Sequence, residues 1–136
     1  MFRIVTEINL SYTLFMPKIV IIEDDAAISQ MYRIKFEAEG YTVETAENGR
    51  SGLDLCLAFQ PDIILLDLMM PEMSGDEMLA ALRDTEWGKT VKVIILTNMG
   101  EQEAPETLKA LNVSAFIVKA DMTPRQVAEL VKKQLS

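Results

Sequence analysis

The stretch DIILLDLMMPEMSG, residues 62–75, runs through four consecutive aliphatic residues and stops on a carboxylate, Asp67. A continuous apolar run of this length reads as a β-strand covered on both faces, not one with a wet side. Strands of that kind belong to parallel sheets sandwiched between helices, where ligands gather outside the carboxyl ends of the strands. Asp67 stands at such an end. A charge at the rim of a core costs on the order of several kcal/mol unless it is paired, hydrated or bound to a metal. The rest of the chain should therefore supply its partners.

Working outward, KIVIIE (18–23), VKVIILT (91–97) and SAFIVK (114–119) are further apolar strand candidates, and YTVETA (41–46) is a more polar one. Between them lie segments of helical period. DAAISQMYRIKFEAEG (25–40) repeats apolar residues at Ile28, Met31, Tyr32 and Phe36, with Asp25 suited to the N-cap and Gly40 to the stop. GRSGLDLCLAF (49–59) ends before Pro61, and GDEMLAALRD (75–84) turns Met78, Leu79 and Leu82 inward. The last helix starts at TPRQ, where Thr123, Pro124 and Gln126 make a capping box with the favoured proline, and Val127, Leu130 and Val131 form its stripe. The weakest helix lies between Gly100 and Asn112. Pro105 interrupts it, and its apolar residues are few (Ala104, Leu108, Leu111), so its first turn is expected to be frayed or displaced. Five strands alternating with five helices predict an α/β fold, a parallel sheet with helices on both faces.

At 136 residues, 49% apolar and 25% charged, the chain is expected to fold around one core. A net charge of −8 opposes binding to a phosphate backbone, so no nucleic-acid partner is expected. One cysteine, Cys56, excludes an internal disulfide and points to a reducing compartment, the cytoplasm. The absence of histidine removes imidazole from any chemistry and leaves carboxylates, hydroxyls, lysines and bound ions. No run approaches the ~20 apolar residues of a membrane span. Residues 1–16 read as an extension before the domain at 17–136, and two readings of residues 1–15 stand. They are an upstream start without ordered structure, or an edge or swapped strand, because Phe2, Ile4, Ile8, Leu10, Tyr12 and Leu14 share one parity. The methionines Met69, Met70, Met73 and Met78 read as adaptable packing, and Cys56 as inert core.

The residues at or just after the apolar strands are Glu23, Asp24 and Asp25, then Asp67, Thr97 and Lys119. Carboxylates converging on one rim repel each other unless a cation neutralises them, and a hard divalent ion such as Mg²⁺ suits oxygen ligands. Lys119 adds a point charge and Thr97 a hydroxyl, so the assembly resembles a socket for a phosphoryl group.

The motifs IIEDD, LLDLMMPEMSG, ILT and FIVK, in this order and spacing, resemble those of bacterial response-regulator receiver domains, from Lys18 to about Leu135. The resemblance implies a flavodoxin-like, doubly wound (βα)5 fold with strand order 2-1-3-4-5. It implies phosphorelay signalling by a stand-alone receiver, phosphorylated on Asp67 by a partner histidine kinase or histidine phosphotransfer protein. Mg²⁺ would be held by Glu23, Asp24, Asp67 and the backbone carbonyl of Met69. Thr97 and Lys119 would bind the phosphoryl group, and Phe116 would be the aromatic switch. A downstream protein target would dock on the last two helices and the last strand. Such a domain modifies itself and is not expected to turn over an external substrate.

The chain also departs from the family pattern. Ala120 replaces the usual proline after Lys119, and Asn98 the usual small residue after Thr97. Met69 and Met99 stand where some relatives carry polar side chains that position water, so slow autodephosphorylation is expected. Two other functions are weighed. A phosphatase of the haloacid-dehalogenase type would use a similar set, but needs an acid where Met69 stands and usually a cap insertion. A pseudo-receiver would bind partners without phosphorylation, and the complete acidic set argues against it.

Overall fold

The computed structural model describes residues 16–136, and both readings of residues 1–15 lie outside the described residues. The strands are β1 (Lys18–Ile22), β2 (Thr42–Ala46), β3 (Ile63–Leu66), β4 (Lys92–Thr97) and β5 (Ala115–Val118). The α-helices are α1 (Ala26–Ala38), α2 (Gly49–Phe59), α3 (Gly75–Arg83) and α4 (Pro124–Leu135). All neighbouring strands pair in parallel, in the order β2-β1-β3-β4-β5, as expected.

The period of two along each strand divides the core in two. Ile19, Ile21, Ile63, Leu65, Ile94, Leu96 and Ile117 pack on Tyr32 and Phe36 of α1 and on Val127 and Val131 of α4. Val20, Ile22, Ile64, Leu66, Val93 and Ile95 face the other way, against Cys56 of α2 and Met78, Leu79 and Leu82 of α3. Full burial of each such aliphatic side chain contributes roughly 1.5–3 kcal/mol, so the three central strands hold the sheet together. The chain leaves β1 toward β2 on one side and β3 toward β4 on the other. The reversal opens a crevice beyond the carboxyl ends of β1 and β3.

Asp25 caps α1 as read, accepting from the N–H groups of Ala27 and Ile28 at 2.9 and 3.1 Å. The capping box of α4 is complete, with Gln126 N–H donating to Thr123 Oγ1 at 3.2 Å and Thr123 N–H donating to Gln126 Oε1 at 2.9 Å. Lysines open two strands and close two helices. Lys18 Nζ donates to the carbonyl of Phe59 at 2.6 Å, and Lys92 Nζ to that of Gln134, in the last turns of α2 and α4.

The α-helix expected between β4 and β5 does not form. In its place are two short 3₁₀ turns, Glu101–Glu103 and Glu106–Ala110, so the described residues hold four α-helices, not five. Pro105 offers no N–H and keeps Ala104 extended at φ −67°, ψ 149°, and in the 3₁₀ turns only Leu108 is buried. Two side chains also differ from expectation. Met31 is 41% exposed because Tyr32 and Phe36 already fill the stripe of α1, and Met69 is 61% exposed, so neither serves as core packing.

Arg83, the last residue of α3, makes a connection across the sequence. Its Nε donates to the carbonyl of Leu111 at 2.8 Å, Nη1 to those of Gly88 and Val91 at 2.9 and 2.7 Å, and Nη2 to that of Asn112 at 2.9 Å. One guanidinium thus fastens α3 to the segments entering β4 and β5.

Candidate functional site

The strand ladders fix the two buried acids before their side chains meet. Asp67 N–H donates to the carbonyl of Ile22 at 3.0 Å, and Glu23 N–H to that of Ala46 at 3.0 Å, so each continues the hydrogen bonding of the sheet past its strand. Asp67 and Glu23 are 6% and 4% exposed. Lys119, directly after β5, reaches both: its Nζ donates to Asp67 Oδ2 at 3.0 Å and to Glu23 Oε1. The other oxygen of Asp67, Oδ1, accepts from Met69 N–H at 3.3 Å. Asp24 stands exposed beside them, and Glu23, Asp24 and Asp67 each bring a carboxylate oxygen within 4.8 Å of the others. Thr97, fully buried at the end of β4, accepts from Met99 N–H at 3.3 Å.

Three acids face one ammonium, and the imbalance decides protonation. Burial, and then the adjacent Asp67 carboxyl, push Glu23 up to about 8 against the opposing pull of Lys119. Asp67 moves the other way. Burial pushes it up, but Glu23, the Lys119 ammonium and the Thr97 hydroxyl together hold it below the ordinary carboxylate range. Lys119 is raised: burial works against its charge, and the two carboxylates outweigh burial. Glu23 and Asp67 therefore titrate as a pair, with Glu23 pushed up and Asp67 held down.

A pH dependence follows. Between about 4.5, its ordinary value, and about 8, folded Glu23 holds a proton that the unfolded chain has released. Stability of the metal-free protein therefore falls as pH rises across that window, because the native state binds more protons. Thermal unfolding at pH 6 and pH 8.5 should show the higher midpoint at pH 6, and Glu23→Gln should remove most of the difference.

Glu23 Oε2 is buried and has no hydrogen-bond partner, the one such side-chain atom among the described residues. An orphaned carboxylate oxygen inside a set of three convergent acids fits a hard cation with oxygen ligands. The acidic cluster could hold a metal ion.

The loop after Asp67 is pinned at both ends. Gly75 N–H donates to the carbonyl of Leu68 at 3.0 Å and Gly49 N–H to that of Met73 at 3.1 Å, while Met73 N–H closes a γ-turn on Pro71 at 2.8 Å with Glu72 at φ 67°. A Cβ on Gly75 would lie 2.1 Å from the backbone oxygen of Asp67. Gly75→Ala is therefore expected to destabilise by about 1–3 kcal/mol in urea unfolding, as overpacking does, and to weaken any metal binding at the acidic cluster by displacing Asp67. A variant with wild-type stability and metal affinity would show that the loop yields freely.

The structure thus gathers Glu23, Asp24, Asp67, Met69, Thr97 and Lys119 at one rim. Phe116 stands apart, half-buried at the edge of the second core cluster, lining a cavity of about 800 Å³ with Ala104 and Leu108. Lys119–Asp121 forms a 3₁₀ turn, so with Ala120 in place of proline Lys119 still reaches Asp67. Three features of the site itself escape the sequence: the bond from Lys119 to Glu23, the glycine contact at Asp67, and Tyr32. Tyr32 was read as core and is buried, yet its phenol, pushed up by burial, also feels Lys119 and Glu23. Among the described residues, no helix is long and apolar enough to cross a membrane.

Comparison with known proteins identifies the family. The sequence profile of the response regulator receiver domain matches residues 19–132. The chain is 33% identical over 121 residues to the polar-differentiation response regulator DivK of Brucella anthropi, covering 88% of this chain and 98% of that one. It is 42% identical over 86 residues to the DNA-binding dual master transcriptional regulator RpaA of Synechocystis, covering 63% of this chain and 36% of RpaA, so it spans about a third of that relative's length. The solved structure of the chemotaxis response regulator CheY4 of Vibrio cholerae superimposes with a TM-score of 0.79 at 29% identity, covering 87% of this chain and 98% of that one. The receiver-domain reading and its flavodoxin-like fold hold, and nothing found favours the phosphatase. Domains of this kind are signalling proteins that interact with histidine kinases and with downstream targets. The chain belongs to the response regulator receiver domain family and is a phosphorelay signal-transduction domain of two-component systems.

Proposed function

We infer that Asp67 is the phosphoacceptor of this domain. The observation that carries the reading is the setting of its carboxylate, ionised at the switch point of the sheet, with Lys119 Nζ on Oδ2 and Met69 N–H on Oδ1. A carboxylate oxygen of Asp67 forms the bond to phosphorus while the bond from phosphorus to the donor imidazole nitrogen breaks, and the imidazole leaves with the electron pair. Lys119 holds Asp67 in place and then meets the charge of the arriving phosphoryl oxygens, and Thr97 offers its hydroxyl to one of them. Glu23, Asp24 and Asp67, with the backbone carbonyl of Met69, would hold Mg²⁺. When bound, the ion neutralises the charge that gathers on the phosphoryl oxygens.

The phosphodonor is a histidine kinase or histidine phosphotransfer protein, a reading supported by membership of the receiver domain family. Thr97 and Phe116 are the moving parts of a population shift, and the receiver domain, residues 17–136, passes it to a protein target through the last helices and β5. The setting is the cytoplasm, where such kinases phosphorylate. Met69 and Met99 bring no polar side-chain donor to the rim, which supports a slow loss of the phosphoryl group.

The test is incubation with Mg²⁺ and acetyl phosphate, followed by intact mass measurement and hydroxylamine treatment. One hydroxylamine-labile phosphoryl group per chain is expected. An unmodified protein would return the domain to the pseudo-receiver reading, and an acyl phosphate lasting only seconds would overturn the slow hydrolysis.

A further inference from the structure

Methionines form much of one wall of the site. Met69, Met70 and Met99 line an open groove of about 500 Å³ together with Asp24 and Pro105. Two of them are tied by their backbones to reacting or binding residues: Met69 N–H to Asp67 Oδ1 and Met99 N–H to Thr97 Oγ1. Met69 is also 61% exposed, whereas Met78, in the core beneath, is 0% exposed. An exposed thioether is open to oxidants, and sulfoxide formation turns a flexible apolar side chain into a polar one that accepts hydrogen bonds.

We propose that Met69 is a reversible oxidation site that sets the lifetime of the phosphorylated state. The oxidant is a hydroperoxide. The sulfur lone pair of Met69 attacks the terminal peroxide oxygen, the O–O bond breaks, and after proton transfer water or an alcohol leaves. The sulfur is oxidised by two electrons and the peroxide reduced by two. The new S–O group stands two residues from Asp67, in a groove wall that previously held no polar side-chain group at position 69. There it accepts a hydrogen bond from water and holds that water beside the acyl phosphate, so hydrolysis accelerates. A methionine sulfoxide reductase restores the thioether and the long lifetime.

This rests on the reading of Asp67 as phosphoacceptor. The experiment phosphorylates the full chain with acetyl phosphate and Mg²⁺, removes the donor, and follows acyl-phosphate loss with and without prior hydrogen peroxide. Peptide mass mapping locates the added oxygen. Oxidation at Met69 should shorten the lifetime severalfold, in proportion to the fraction oxidised, and reductase treatment should reverse it. Met69→Leu is compared with its own untreated form, and its lifetime, whatever its starting value, should not respond to peroxide. A full Met69 sulfoxide with unchanged lifetime, a Met69 that peroxide leaves intact, or a Met69→Leu protein as sensitive as wild type overturns the proposal. Failure of untreated wild type to take up a phosphoryl group overturns the acceptor reading instead, before peroxide is added, and the proposal falls with it.

Discussion

Replacing Asp67 by asparagine will abolish phosphoryl uptake from acetyl phosphate, by at least about 10²-fold, because a neutral amide oxygen is a poor nucleophile toward phosphorus. The substitution keeps the shape of the side chain and removes its charge. Either the amide oxygen takes the place of Oδ2 opposite Lys119 Nζ, or the amide nitrogen sets a donor against a donor at the 3.0 Å contact. Glu23 will respond as well. The adjacent Asp67 carboxyl is among the causes that lift Glu23 to about 8, so Asp67→Asn should let Glu23 ionise at lower pH and take Lys119 for itself. Mg²⁺ affinity should drop by roughly 10-fold or more, as one of three acids is lost. Intact mass after incubation, hydroxylamine release and a metal titration measure the three effects. Uptake at the wild-type level would move the acceptor to another acid of the cluster, Asp24 or Glu23.

The second large effect is structural. Arg83→Met should destabilise the domain by about 3 kcal/mol, since it removes charge-assisted hydrogen bonds and leaves half-buried carbonyls to find water. The figure is set well below a sum over the four carbonyls, because the side chain is only partly buried. Arg83→Lys should recover little of the loss, because an ammonium lacks the planar fork that reaches Leu111 and Asn112 on one side and Gly88 and Val91 on the other. Urea unfolding of the three proteins decides this. A loss under about 1 kcal/mol for Arg83→Met would mean that water satisfies the carbonyls equally well.

The sequence disclosed the parts of this domain whose signals are local. Continuous aliphatic runs are legible because both faces of the central strands are covered, and the ends of those runs point to Glu23, Asp67, Thr97 and Lys119. The caps of α1 and α4 are legible because their hydrogen bonds span two or three residues. The order of the strands came only with the family resemblance, since periodicity says nothing about which strands are neighbours. Arg83 was invisible for a related reason: two of its four carbonyls are 28 and 29 residues away, and in sequence it is an ordinary basic residue ending a helix. Pro105 did warn of a weak fourth crossover, but not that helix would give way to 3₁₀ turns throughout. Met31 and Met69 misled because apolar character at helical or loop spacing does not reveal which residues have already filled the core.

The pair of 3₁₀ turns between β4 and β5 has an energetic consequence. Hydrogen bonds that span three residues do not build the cooperative ladder of a long helix, and here Leu108 is the one buried residue of the two turns. Local opening of residues 101–110 therefore requires a small fraction of the free energy needed to open α4, which buries Val127, Ala128 and Val131. Native-state amide exchange is expected to be faster between Thr97 and Phe116 than in α4. An easily melted stretch thus lies between the strand that presents Thr97 and the strand that presents Lys119, so a reordering there leaves the rest of the sheet at full strength.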